Sequence, residues 1–256
     1  MKTDIAEPLV SILTVVRNNA ERLQCTMQSV ARYKNSAYQY VVVDGASTDG
    51  TLEVIRRNEG LVDLWISEPD SGIYHAMNKG VALCTGRYIL FLNAGDELIT
   101  DLAAAAGGAP EDCALQYGRA NMMNPDGTLS YVKGKRLKSP RKFLKGMPLC
   151  HQAILYRRSE IPPYDLRFRI CADRLLTYRL VRDLGLRRTR FLDLTLVNYV
   201  EDGFSCVVPV EQSREEENRF YREVGKSHYI LIKVINRVFK QRVKLPILRG
   251  LKRLTS

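Results

Sequence analysis

Along the first hundred residues, short apolar runs alternate with segments whose apolar positions recur every three or four residues. Residues 9–16 (LVSILTVV), 40–43 (YVVV), 64–67 (LWIS) and 88–93 (YILFLN) are brief and rich in β-branched or aromatic side chains. That is the pattern of strands buried on both faces. Residues 20–33, with Leu23, Met27 and Val30 at helical spacing, and residues 52–58 and 73–84 predict the intervening helices. Strand–helix alternation with short connections predicts an α/β fold, a mostly parallel sheet covered by helices. Ligands in such sheets sit beyond the carboxyl ends of the strands. The loops at those ends begin at Arg17, Asp44, Ser67 and Asn93, and they hold the polar signals.

Beyond residue 105 the pattern is less regular. Asn124-Pro125-Asp126-Gly127 predicts a turn between residues 120–123 and 129–132, hence a hairpin. Residues 152–156 and 191–200 read as extended, and residues 172–184 as a helix closed by Gly185. Residues 211–224 read as an exposed charged helix. From Tyr229 on, Leu231, Val234, Ile235 and Val238 share one helical face, with Lys233, Arg237, Lys240 and Lys244 on another. Three regions result: 8–105, 106–225 and a basic amphipathic tail, 226–256.

Composition narrows the function classes. The chain has 256 residues, 45% hydrophobic and 26% charged, which excludes a disordered or fibrous chain. No apolar run is long enough to span a membrane as a helix. The N-terminus lacks a basic-apolar-small leader pattern, so a cytoplasmic location is expected. Six cysteines are scattered without a CxxC pair, which favours buried free thiols over a zinc site or disulfide framework.

Charge is unevenly placed. Lys and Arg number 39 against 28 Asp and Glu, a net +11. Residues 228–256 hold eight basic residues and no acid, and residues 133–145 hold seven. Basic and apolar faces together predict a tail helix on an anionic membrane surface, peripheral to the membrane; the alternative is a helix packed on the body with a solvated basic side. The 133–145 stretch either meets an acceptor diphosphate or is a solvated loop. A nucleic-acid partner would suit the charge, but no nucleic-acid motif is present.

Three segments carry candidate chemistry. Asp44, at a strand's carboxyl end, can accept hydrogen bonds from a nucleobase or a ribose; it can equally serve as a turn residue. In Phe91-Leu92-Asn93-Ala94-Gly95-Asp96, an apolar strand runs into a tight turn that presents a carboxylate. Mg²⁺ and Mn²⁺ take few protein oxygens together with substrate phosphate oxygens, which suits Asp96, with Asn93 orienting it or touching the sugar. Residues 67–80 (SEPDSGIYHAMNKG) place a helix start after Gly72, where a pyrophosphate or sugar oxygen is attracted. Lys79 can pair with a phosphate there, or be solvated.

Taken together and in order, VSILTVVRN, VVVDGASTDGT, SEPDSGIYHAMNKG and GRYILFLNAGD resemble the inverting family 2 glycosyltransferases of the GT-A fold, a Rossmann-like sheet. Bacterial members that build exopolysaccharide or O-antigen, including colanic-acid-type transferases, look most similar. The resemblance implies a nucleotide-sugar donor, most often a UDP-sugar, and a divalent cation, Mg²⁺ or Mn²⁺. It implies donor contacts from Val15, Arg17, Asp44, Asp70, Asn78, Lys79 and Asn93, with Asp96 as the metal-holding carboxylate. Asn93 and Gly95 stand where other members have Asp, and His75 where Asp is frequent. Further along, CHQAIL (150–155) and ICADRLL (170–176) resemble the acceptor-side strand and the acidic base motif, which makes Asp173 the catalytic base. His151 and Gln152 then face an acceptor pocket or the core. Region 8–105 becomes the nucleotide-sugar half and 106–225 the half for a glycan acceptor, lipid-linked if the tail docks on a membrane. Two other readings remain at this point. One is a nucleic-acid-binding protein. The other is a sugar nucleotidyltransferase, for which the loop after the first strand lacks glycine.

Overall fold

The structure, a computed structural model, describes residues 7–201 and 209–226. The chain divides into two compact units, residues 1–207 and 208–256. In the second unit the described residues form one helix, Val210–Glu223, where a charged helix is expected. The tail beyond residue 226 lies outside the described residues, as does Cys206.

The first unit is built on one sheet. Its strands are β1 (Val10–Val16), β2 (Tyr38–Asp44), β3 (Leu64–Ser67), β4 (Tyr88–Phe91), β5 (Glu97–Leu98), β6 (Leu115–Met123), β7 (Leu129–Lys133), β8 (Ile154–Arg157) and β9 (Thr189–Val200). They lie in the order β3-β2-β1-β4-β8-β6-β9-β5, with β7 on β6. The first four are mutually parallel, Val16 pairing with Asp44 and Leu13 with Phe91. Every residue of β1 is buried, as in a strand covered on both faces. The covering helices are α1 (Ala20–Ala31), α2 (Thr51–Arg57) and α3 (Ile73–Leu83). Gly80 is where α3 meets the sheet: a Cβ there would run into the Leu13 side chain.

Beyond β4 the sheet becomes mixed. β8 is antiparallel to both β4 and β6, while β6 and β9 are parallel. The sheet therefore continues across the 105/106 boundary. The hairpin β6–β7 forms around Asn124-Pro125-Asp126-Gly127, with Gly127 at φ 83°. Two short elements, β5 and α4 (Leu102–Ala106), are additions to the predicted set; Asp101 caps α4 by accepting from the N–H groups of Ala103 and Ala104. Helix α5 (Ala172–Leu184) ends at Gly185, whose φ of 80° suits glycine. The extended segment predicted at 152–156 starts later, because residues His151–Ala153 make a 3₁₀ turn before β8. The five described cysteines are free thiols; Cys84, Cys113 and Cys150 are buried, but Cys25 is exposed and Cys171 half-buried. Cys25 lies on the face of α1 turned from the sheet.

Candidate active site

The order β3-β2-β1-β4 places the point where chain direction across the sheet reverses between β1 and β4. A crevice forms outside the carboxyl ends of such a pair. Here it is a cleft of about 570 Å³. One wall is Val15, Val16, Arg17 and Asn19 from the end of β1; Asn93 and Ala94 follow β4. Asp70, Tyr74 and His75 come from the start of α3, and Leu166, Phe168 and Arg169 from the approach to α5.

The β1 and β2 loops are knitted together. Asn18, at φ 50°, donates its N–H to the Ser47 hydroxyl (2.7 Å) and accepts from the Thr48 N–H (2.8 Å). Asp44 has no exposed surface. Its carboxylate accepts from the Ser47 N–H (3.0 Å), the Ser67 hydroxyl (2.6 Å) and the Ser47 hydroxyl. It thus ties the loop after β2 to the end of β3 and is not among the cleft-lining residues. Directly after it, Gly45 lies under Asp70 and Arg17. A Cβ there would strike the Asp70 carboxylate and stand 3.3 Å from the Arg17 side chain.

The strap before α3 is pinned at both ends. Asp70 accepts from the Gly72 N–H (2.8 Å), and the Ser71 N–H donates to His75 Nδ1 (3.2 Å). Lys79 donates to the Pro69 carbonyl (2.8 Å) and pairs with Glu68 (2.8 Å). Asn78 exchanges two hydrogen bonds with the Tyr164 backbone, at 2.7 and 3.1 Å. The side chains of Lys79 and Asn78 are thereby engaged by the protein, outside the cleft lining.

The turn after β4 is held by α1. Thr26 accepts from the Gly95 N–H (2.9 Å) and donates to the Asp96 carbonyl (2.8 Å). Gly95 takes φ 103°, a conformation that favours glycine. Asp96 is 4% exposed. Burial pushes its carboxyl up to about 8, while the Val200 N–H and the charge of Arg22 pull it back. Three residues earlier, Asn93 Oδ1 is buried without a hydrogen-bond partner. Buried polar atoms rarely go unpaired, so this one calls for a ligand. A divalent cation fits the donor set: a buried carboxylate, whose pKa stays raised despite the charge of Arg22, and an amide oxygen lacking a partner, both hard oxygens. Among the described residues there is no cluster of three or more His, Cys, Asp or Glu that could hold a metal.

On the far side, Asp173 occupies the first turn of α5. Tyr74, a cleft residue, donates its hydroxyl toward the Ile170 carbonyl (2.7 Å) and Asp173 Oδ1 (3.1 Å). Tyr74 stacks on Tyr164 at 5.3 Å, and the Tyr164 hydroxyl meets His151 Nε2 at 2.9 Å. His151 stacks on Phe91 at 4.9 Å. Burial lowers its pKa and the charge of Asp173 raises it back. His151 and Gln152 are both buried.

Of the residues singled out from the sequence, the cleft gathers Val15, Arg17, Asp70 and Asn93. Asp96 is on the same turn as Asn93, and Asp173 is joined to the cleft through Tyr74. The model of the family described as Glycosyl transferase family 2 matches residues 11–159. The chain belongs to this family. A PGL/p-HBAD biosynthesis glycosyltransferase of Mycobacterium tuberculosis is 35% identical over 209 residues, covering 78% of this chain and 79% of that one. Among solved structures, Staphylococcus aureus TarS (residues 1–349, with UDP-GlcNAc) aligns with TM-score 0.63 at 17% identity, over 84% of this chain and 65% of that one. GalNAc-T7 with UDP, GalNAc and Mn²⁺ aligns with TM-score 0.63 at 17% identity, over 86% and 48%. These likenesses establish the GT-A fold, and the glycosyltransferase described here spans under two thirds of either solved chain. Two of its site-building residues escape a sequence reading. Thr26 and Tyr74 look like ordinary helical residues, and their partners lie 70 and 99 positions away. For Tyr74 the available signal was its place one residue into the helix that follows a Gly72 turn.

Proposed function

We propose that this glycosyltransferase moves a sugar from a UDP-sugar to a hydroxyl of a lipid-linked glycan acceptor, with inversion, in the synthesis of cell-surface polysaccharide of the exopolysaccharide or O-antigen type. The observation that carries the reading is the Tyr74 bridge, which joins a carboxylate, Asp173, to the cleft where Arg17, Asp70 and Asn93 meet. The UDP-GlcNAc held by TarS supports the donor class, and the mycobacterial relative, a PGL/p-HBAD biosynthesis glycosyltransferase, supports a biosynthetic sugar transfer.

Val15 and Arg17 flank the nucleoside, and Asp44 acts on it through the loop it fastens. Asp70 faces the sugar. Lys79 and Asn78 hold the walls of the donor site in place. Asp96 and Asn93 would hold Mg²⁺ or Mn²⁺, which neutralises the departing diphosphate; GalNAc-T7 supports the choice of Mn²⁺. Asp173 takes the proton of the acceptor hydroxyl as the oxygen attacks the anomeric carbon. The nucleoside diphosphate leaves from the opposite face, and the configuration inverts. Such a base contributes about 10²–10⁴-fold. The apolar and aromatic wall of Tyr74, Leu166 and Phe168 excludes water that would compete with the acceptor.

Family membership removes the case for a nucleic-acid-binding protein or a nucleotidyltransferase. The chain works in the cytoplasm, peripheral at the inner face of the cell membrane, through the basic residues of 226–256. Among the described residues no helix is long and apolar enough to cross a membrane.

The test is transfer and donor hydrolysis across UDP-, GDP- and dTDP-sugars with Mn²⁺ or Mg²⁺. Asp173→Asn keeps donor binding and loses transfer by about 10²–10⁴-fold. Asp96→Ala weakens cation-dependent UDP binding. Unimpaired turnover in both variants sinks the assignment.

A further inference from the structure

Strand β7 and the chain after it form a surface that sugar transfer does not explain. Leu129, Tyr131 and Val132 are 55%, 46% and 45% exposed, although Met122 of β6, opposite Tyr131, is buried. The hairpin therefore carries apolar side chains past the region its own sheet covers. Exposed apolar groups gathered on one element mark an interaction site.

The basic stretch that follows is fixed rather than loose. Gly134, at φ 113°, lies so near β6 that a Cβ would stand 2.7 Å from the Gly118 carbonyl oxygen. Leu137 is buried and donates its N–H to the Tyr117 hydroxyl (3.0 Å). Phe143 and Leu144 are buried in the 3₁₀ turn Pro140–Lys145, and Arg174 Nε donates to the Phe143 carbonyl (2.7 Å). Between these anchors Lys135, Arg136, Lys138, Arg141, Lys142 and Lys145 are all exposed. No acid occurs from residue 127 to residue 159. Like charges held this close repel one another, and a fixed arrangement keeps that repulsion unless an anionic partner relieves it.

We propose that the β7 hairpin and the 133–145 ribbon seat this enzyme on an anionic lipid bilayer. Leu129 and Val132, paired opposite Met123 and Asn121 on one face of the hairpin, enter the headgroup region, and the ribbon's cations pair with lipid phosphates. Charge and polarity select this occupant. A second copy of the chain would bring the same six cations against these, and a nucleic acid would leave Leu129 and Val132 without an apolar partner. The inference rests on the reading that the acceptor is lipid-linked, and it assigns a membrane contact to the folded body in addition to the tail.

The experiment is flotation of the full chain with phosphatidylcholine vesicles, with and without phosphatidylglycerol, at low and high salt. Wild type floats only with the anionic vesicles, and less at high salt. Lys135→Glu/Lys138→Glu/Lys142→Glu and, separately, Leu129→Ser/Val132→Ser each weaken binding by about tenfold or more. Both variants keep the wild-type thermal transition and UDP affinity, which separates lost docking from lost folding. If wild type floats and both variants float equally well, the body contact is refuted and the tail alone attaches the enzyme. If wild type does not float at all, this inference and peripheral attachment fall together, while transfer to a detergent-dispersed acceptor still tests the enzymatic reading. Self-association through the hairpin, or duplex DNA binding without vesicle binding, also overturns it.

Discussion

Replacing Tyr74 by phenylalanine removes one oxygen from the joint between the cleft and Asp173. The hydroxyl has a single proton and two acceptors, the Ile170 carbonyl at 2.7 Å and Asp173 Oδ1 at 3.1 Å. Burial, and after it the charge of Asp173, holds the phenol well above its ordinary pKa, so it remains a donor at any working pH. The variant keeps the aromatic ring and its stacking on Tyr164. What is lost is a hydrogen bond to a charged group, about 1.5–3 kcal/mol. If that energy holds Asp173 in the geometry that deprotonates the acceptor, kcat falls by about ten- to a hundredfold. UDP affinity stays at the wild-type value, because the lost oxygen faces Asp173 and Ile170. The thermal transition drops by roughly 3–12 °C for a body of this size. Steady-state transfer, UDP titration calorimetry and a thermal melt check the three parts. A Tyr74→Phe enzyme with wild-type kcat and a lowered transition would refute the reasoning, since Tyr74 would then support only the loop.

Asn93→Ala should not lower the thermal transition, since the Oδ1 it removes is buried with no partner within the described protein, while UDP–cation affinity falls about tenfold; calorimetry with unchanged affinity would count against a ligand at that oxygen. Gly45→Ala puts a Cβ against the Asp70 carboxylate and 3.3 Å from the Arg17 side chain, so it displaces two cleft residues and is expected to weaken UDP binding, which a UDP titration checks. His151 titrates below its ordinary 6.5 because it is buried. Its neutral form is the one the fold accommodates, so its contribution is complete above the unfolded-state value and is lost as pH falls through the folded-state value. Melts between roughly pH 5 and 8 should show wild type losing stability on the acid side and His151→Gln losing less; identical slopes would remove His151 from the account.

The parallel half of the sheet was legible because each of its signals is local. Seven consecutive residues of β1 and the apolar part of β2 are buried on both faces, so a continuous apolar run is all the fold requires of them. The mixed half depends on contacts between distant segments. β6 carries Gln116 and Gly118 within its apolar run, which weakens a strand signal. Gly118 is nevertheless required, since a Cβ there would stand 2.6 Å from Leu196 of β9. The register shifts between β6 and β9 follow from such pairings and leave no period to read.

The same distinction divides the site. A residue that touches a ligand and a residue that fastens a loop are drawn from the same types, because both tasks need short polar side chains at turns and helix starts. Asp44, Asn78, Lys79 and Asn93 are therefore alike as sequence signals. Their hydrogen bonds separate them. The Asp44 carboxylate is engaged by Ser47 and Ser67, Asn78 by the Tyr164 backbone, and Lys79 by Glu68 and Pro69. Asn93 Oδ1, buried beside the cleft, is engaged by nothing in the described protein. Loss of a fastening residue should lower stability and donor affinity together, because the loop it holds moves. Loss of Asn93 should lower donor affinity alone. That split follows from which polar atoms the fold satisfies internally, and it makes Asn93 the residue where a ligand-binding role and a structural one are most cleanly separable.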